Sequence, residues 1–299
     1  MTDDPASPVS IVEYTDPGCI WSWSSDPKLR WLRFQLGDDA DWRRVFGIAH
    51  GDLSIDDPGF DPVESAPAIF KRWSGVVDDT GAPLRSDPVR VFKSTRPLAL
   101  VAKASEAQGR EIADRVLRRL RESVFVASRP PQTTKETEET LAGVPGLDLG
   151  QLLVAVDSGA VQESVEGDWV ETRNPKPEVF GLEGPLPWPG AAKQDGDHVR
   201  YSFPTLIISG PHGIRFIPGW RPMETYLEAL EAVAPGSAQR FEQISPDVAI
   251  DHFGTLTNAE LELFTGAARP PSGAEALQTA NGPLWFDRNS GLPESWLES

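Results

Sequence analysis

Ile11-Val12-Glu13-Tyr14-Thr15-Asp16-Pro17-Gly18-Cys19-Ile20-Trp21-Ser22-Trp23 is the stretch that decides the fold. Ile11 to Tyr14 reads as a strand, and Asp16-Pro17-Gly18 breaks it. Cys19 then opens a segment that reads as a helix to about Leu36. Cys19 is the chain's sole cysteine. In the first turn of a helix a thiol meets unpaired backbone N–H groups and the positive end of the helix dipole, and both favour the reactive thiolate. A lone cysteine can instead be a small buried hydrophobe. The strand–turn–cysteine–helix context selects the nucleophile reading.

Working outward, Trp42 to Ile48 alternates as a second strand, which makes a β-α-β unit with the first strand and helix. Residues 51–92 are rich in Asp, Pro and Gly and hold a short helix near Ala66–Trp73. Ser94-Thr95-Arg96-Pro97 launches a long helical pattern, punctuated at Gln108-Gly109 and running to about Val126. Arg115, Arg118, Arg119 and Arg121 in it are read as a solvated face, with an anion site as the alternative. Helices follow at Thr133–Ala142 and Leu147–Ser158. Residues 173–200 are irregular, and Pro185 to Pro189 cannot be helix interior. Val199 to Ile208, the turn Ser209–Gly213 and Ile214 to Ile217 form an antiparallel hairpin, and Pro222–Ala234 is a helix.

This order resembles the DsbA-like branch of the thioredoxin superfamily, which includes FrnE-like proteins, kappa-class glutathione transferases and 2-hydroxychromene-2-carboxylate isomerases. The residues that carry the resemblance are Tyr14 to Trp23, Tyr201-Ser202-Phe203-Pro204-Thr205-Leu206 and Gly219-Trp220-Arg221-Pro222. It spans roughly residues 8–236. It implies an α/β thioredoxin-like fold, β-α-β … β-β-α, with a helical insert at about 55–172 inside a domain at 1–240. It also implies that the Phe203–Pro204 bond is cis and packs beside the redox motif, leaving the backbone of Phe203 and Thr205 to meet an extended thiol substrate.

The departure from the family is Ser22, where a redox member carries a second cysteine. A mixed disulfide on Cys19 therefore cannot be resolved from within, because exchange needs an attacking thiolate. Three functions remain open. In a monothiol oxidoreductase, Cys19 attacks a disulfide or thiol-capped substrate and an external low-molecular-weight thiol completes the cycle: mycothiol, bacillithiol or glutathione. Ser22 would hydrogen-bond the sulfur, and Trp21 and Trp23 would shape an apolar lip, unless at least one of them is core packing. In a kappa-like transferase or isomerase, Ser22 or Cys19 activates a bound thiol without redox change. In an adaptor, the fold is reused for binding alone. Asp16 is a candidate to tune the thiol as proton acceptor or to cap the turn, the cap being the preferred reading. His50, after the second strand, is a further tuning candidate. The four histidines are scattered without metal-ligand spacing, so no metal is expected.

Lys+Arg number 28 against 45 Asp+Glu, for a formal net charge of −17. Such a surface repels phosphate backbones and anionic membranes, so neither nucleic acid nor membrane is an expected partner. Met1-Thr2-Asp3-Asp4 has no basic and apolar leader pattern, and a cytoplasmic location is expected. Residues 241–299 are expected to form a small winged-helix-like α+β module. Its helices fall at Pro246–Phe253, Thr257–Thr265 and Ser272–Ala280, followed by a strand at Leu284–Phe286. Asp247, Asp251, Glu260, Glu262, Glu275, Asp287, Glu294 and Glu298 against Arg269 and Arg288 make it a packing or protein-contact module and not a DNA reader.

Overall fold

The computed structural model describes residues 9–50, 59–183 and 190–297. The proline-rich stretch Pro185–Pro189 and most of the loop after His50 lie outside them. Strand β1, Val9–Thr15, pairs in parallel with β2, Ala40–Phe46, so Ile11 lies opposite Trp42. A parallel pair needs a crossover, and helix α1, Ile20–Leu36, supplies it. Pro27 lies inside that helix, where its ring leaves the preceding turn one N–H short.

The insert is helical, with α2 at Ala66–Thr80, α3 at Arg96–Ser105, α4 at Arg110–Phe125, α5 at Thr134–Leu141, α6 at Leu149–Val156 and α7 at Gly159–Thr172. The sequence reading stops at Ser158; α7 is an addition. The break between α3 and α4 falls where Gln108-Gly109 marks it: Gly109 takes a φ of 100°, open to glycine and to few other residues.

After the insert, β3, Ala192–Asp195, pairs with β4, His198–Tyr201. The continuous run read from Val199 to Ile208 is thus two strands in two sheets, parted at Ser202-Phe203-Pro204. Strand β5, Thr205–Gly210, pairs antiparallel with β1, Tyr14 opposite Thr205, and with β6, Gly213–Pro218. The sheet order is β2-β1-β5-β6. Helix α8, Met223–Val233, follows. Ile11, Leu29, Leu32, Leu206, Ile208 and Leu230 form the core of this part.

The end of the chain holds α9, Pro246–Phe253, β7, Thr255–Thr257, and α10, Asn258–Thr265. Thr257 and Glu260 close a reciprocal capping box at the start of α10. The third helix expected at 272–280 is absent. Its residues supply β8, Glu275–Leu277, which pairs with β9, Leu284–Phe286. The helix-forming composition of Ala-Glu-Ala-Leu yields to the hydrogen bonds that β9 offers, a tertiary override of a weak propensity. Helix α11, Glu294–Leu297, ends the described chain.

Two compact units result. The first joins residues up to Thr15 with Ser25–Gly47 and Asp168–Glu242; the second joins Asp16–Ser24 with Ile48–Gly167 and the segment from Gln243 on. The C-terminal segment therefore shares a unit with the helical insert. Within that unit Arg118 bridges α4 to Glu260 Oε1 and Oε2 at 3.1 and 3.0 Å. Arg119 donates to the carbonyls of Ser290 and Gly291 at 2.7 and 2.8 Å. Gly143 and Gly291, both at positive φ, touch backbone to backbone, and a Cβ on Gly291 would sit 2.0 Å from the Gly143 carbonyl oxygen. Three of the four arginines read as a solvated face are thus buried, Arg118, Arg119 and Arg121 being at most 5% exposed, while Arg115 is half-buried.

Candidate active site at the head of the first helix

Cys19 is the residue immediately before α1, and its carbonyl accepts the N–H of Trp23 at 3.0 Å. It is therefore the N-cap and not, as the sequence suggested, a residue of the first turn. The side chain is 8% exposed, at the margin of the core. The turn that delivers it is organised by Asp16, which is fully buried. Asp16 Oδ1 accepts the N–H of Gly18 at 2.7 Å. Its Oδ2 accepts the N–H of Ala49 and the hydroxyl of Thr95, each at 2.7 Å. Thr95 stands at the N-cap of α3, yet its hydroxyl serves Asp16 and makes no cap bond. Asp16 thus ties the Cys19 turn to two other loops, and sequence spacing gave no hint of Thr95 as its partner. Gly18 is required here by close approach: a Cβ would meet Thr95 Cγ2 at 2.5 Å and the Phe92 ring at 2.7 Å.

His50 lies in the same neighbourhood. Its carbonyl accepts the N–H of Thr95 at 3.1 Å, and its exposed ring is 5.4 Å from that of Phe92. Ser22 is fully buried and Trp21 half-buried. Trp23 is a core residue at 1% exposure. Its indole N–H donates to the Pro83 carbonyl at 2.8 Å, its ring stacks on Phe125, and the Arg118 guanidinium lies 4.6 Å above it. Of the two tryptophans, Trp21 alone offers surface for a lip.

The other sequence candidates belong to the first unit. The Phe203–Pro204 peptide bond is cis. Phe203 is buried, and the Arg200 guanidinium lies 4.6 Å over its ring. Thr205, fully buried, donates its hydroxyl to the Ser202 carbonyl at 2.6 Å. Arg200 and Arg173 both meet Asp195 Oδ2, at 3.3 and 2.7 Å, holding β3 and β4 to the end of α7. Tyr14 and Tyr201 stack at 3.9 Å, and Tyr14 donates to Glu171 at 2.9 Å; burial pushes its phenol far above the ordinary tyrosine range, and the Tyr201 and Glu171 charges add to this. Lys28 on α1 lies 3.7 Å from the centre of the Trp220 ring. Burial lowers its ammonium to about 7 against an opposing pull from Glu224. Among the described residues no group of His, Cys, Asp and Glu is placed to hold a metal, and no helix is long and apolar enough to cross a membrane.

A β-α-β start, a helical insert, a β-β-α finish and a cis-proline opening β5 define a DsbA-like thioredoxin fold. No family model matches the chain. It is similar to the ClpXP adapter protein SpxH of Shouchella clausii, 26% identical over 170 residues, 56% of this chain and 54% of that protein; the chain thus spans about half the length of the curated relative it matches. Among solved structures it is similar to a proposed protein disulfide isomerase from Nitrosomonas europaea, at a TM-score of 0.56 and 14% identity over 75% of this chain and 96% of the other. It is also similar to the cytosolic disulfide reductase DsbM of Pseudomonas aeruginosa, at a TM-score of 0.50 and 15% identity over 78% of this chain and 96% of DsbM. At these identities the likeness establishes the fold.

Proposed function

We propose that Cys19 is the nucleophile of a monothiol thiol–disulfide exchange. The observation that carries this reading is the position of the sole thiol, at the N-cap of α1 directly after β1 of a DsbA-like fold. The Cys19 thiolate attacks one sulfur of a disulfide or thiol-capped substrate. A Cys19–sulfur bond forms as the substrate's sulfur–sulfur bond breaks, and the second substrate sulfur leaves as a thiolate. An external thiolate then attacks the sulfur held on Cys19, carries it off as a new disulfide and restores the Cys19 thiolate. With Ser22 in place of a resolving thiol, that second step belongs to a low-molecular-weight thiol. Ser22 can donate to the sulfur anion and oppose its protonation. Trp21, half-buried, borders the nucleophile. A complex of DsbM with GSH, similar to this chain at a TM-score of 0.51, supports a small thiol as co-substrate.

A second reading, an adaptor that binds a protein partner through the same fold, is favoured by the similarity to SpxH. The rate of Cys19 alkylation against pH separates the two, with Ser22→Ala as control. A midpoint well below the free-thiol value of about 8.5, shifted upward by Ser22→Ala, is expected for exchange. An ordinary midpoint, with no adduct from oxidised glutathione that added thiol can release, would overturn exchange and leave the adaptor.

A further inference from the structure

The arginines of α4 line a cavity of about 270 Å³ inside the second unit. Arg115, Arg118, Arg119 and Glu122 recur at helical spacing and form one wall. Val144 and Pro145, the end of α9 and the turn at 287–290 form the others. The charges are balanced. Three guanidiniums and three carboxylates, those of Glu122, Asp251 and Asp287, line it. Arg118 and Glu122 neutralise each other at 2.7 Å, and Glu260 sits behind Arg118. The more open charges are therefore Arg115, which is half-buried, and Asp251, which is exposed; Arg115 donates to the Pro145 carbonyl at 3.1 Å and keeps a weak 3.5 Å pairing with Glu111. The carboxyl end of α9 adds negative partial charge on the Asp251 side. Val144, Ile250 and Phe253 supply apolar surface between them. Ser290 Oγ and Arg119 Nε are buried without hydrogen-bond partners, in side chains more than nine-tenths buried, Arg119 Nε lying 3.6 Å from Glu122 Oε2.

A purely anionic ligand would desolvate the carboxylates of this wall, and a purely cationic one the guanidiniums, each at a cost. A ligand that carries both charges meets neither penalty. The volume lies just under the ~300–1,000 Å³ of drug-sized sites, so the ligand is small. We propose that this cavity binds a small zwitterion of the α-amino-acid class, its carboxylate toward Arg115 and its ammonium toward Asp251 and the end of α9. The ligand would join the insert to the C-terminal segment, independently of Cys19 chemistry.

The test is calorimetric titration of the full chain with each of the twenty L-amino acids, then with the N-acetyl and methyl-ester forms of the tightest binder. At least one amino acid is expected to bind, and each blocked form to bind at least about tenfold more weakly, since it lacks one charge-assisted contact. Arg115→Gln and Asp251→Asn, both outside the packed core, are each expected to weaken binding about tenfold; Asp251→Asn leaves the melting temperature unchanged, while Arg115→Gln also gives up a bond to the Pro145 carbonyl. Failure of all twenty to bind would overturn the site. An N-acetyl form as tight as its parent, or full affinity in both variants, would overturn the zwitterion assignment.

Discussion

Gly47→Ala is expected to destabilise the protein, against the usual sign of such a change. Gly47 follows β2; its N–H donates to the Thr15 carbonyl at 3.0 Å and its own carbonyl accepts from Arg173 at 2.8 Å. At an unstrained position a glycine-to-alanine change stabilises by about 0.4–1 kcal/mol through the unfolded chain. Here the new Cβ would stand 2.0 Å from Phe203 Cζ and 2.8 Å from Cε1 and Cε2, far inside the ~3.5–4 Å of a carbon–carbon contact. The ring has little room to retreat, because Phe203 is 3% exposed and Arg200 covers its face. Overpacking of this kind costs about 1–3 kcal/mol, and with the unfolded-chain gain set against it a net loss of about 1–2 kcal/mol is expected. Phe203→Leu makes room, at an expected cost of its own of about 1–2 kcal/mol. In the Phe203→Leu background Gly47→Ala should therefore cost at least about 1 kcal/mol less than alone, a coupling within the range for residues in contact. Urea unfolding followed by far-UV circular dichroism measures both, as a change of midpoint at constant slope. A Gly47→Ala midpoint at or above that of the parent, or the same loss in both backgrounds, would refute the steric argument.

Asp16→Asn removes acceptor capacity from a buried carboxylate that three donors reach at 2.7 Å, and should cost about 2–4 kcal/mol by urea unfolding; an unchanged midpoint would mean the turn is held by something else. Glu260→Gln strips Arg118 of a bidentate partner and the α10 capping box of its carboxylate, for an expected loss of about 3–5 kcal/mol. For Lys28 the folded value of about 7 lies below the ordinary 10.5 of the unfolded chain. The unfolded state therefore binds more protons between those values, so this residue makes stability rise with pH across about 7 to 10.5, by up to ~1.4 kcal/mol per pH unit. Lys28→Met should flatten that rise in a series of unfolding curves; a slope unchanged by the substitution would show that the Trp220 ring keeps the ammonium charged throughout.

The sequence carried the frame of the fold because its decisive signals are local. The strand, the Asp16-Pro17-Gly18 break and the helix after Cys19 appear in order, α9 spans the residues read for it, and the Thr257–Glu260 box marks the start of α10. What was not legible depended on distant partners. Helix α7 was passed over because Gly159 reads as the stop of α6, although Val161, Val165 and Trp169 recur at helical spacing. The strand at Glu275–Leu277 exists because β9 pairs with it, which no window of local sequence reports. Cys19 ahead of α1 and the cis bond before Pro204 follow from motif and position. The bonding of Thr95 to Asp16 and the burial of Arg118 and Arg119 depend on residues far along the chain.

Each compact unit is assembled from separated stretches of chain, and this sets the order in which the molecule can be completed. Strand β1 is made long before its antiparallel neighbour β5, which begins only at Thr205, and the second unit lacks Glu260, Ser290 and Gly291 until well after its helical insert is made. Neither unit can close during most of synthesis, so the nascent chain carries open strand edges and buried-to-be arginines for longer than a domain built from one continuous segment would. Termination before Thr205 would release a chain with both units unfinished, and termination between Glu242 and the β8–β9 pair would leave the second unit open, in either case a species for chaperones or proteases.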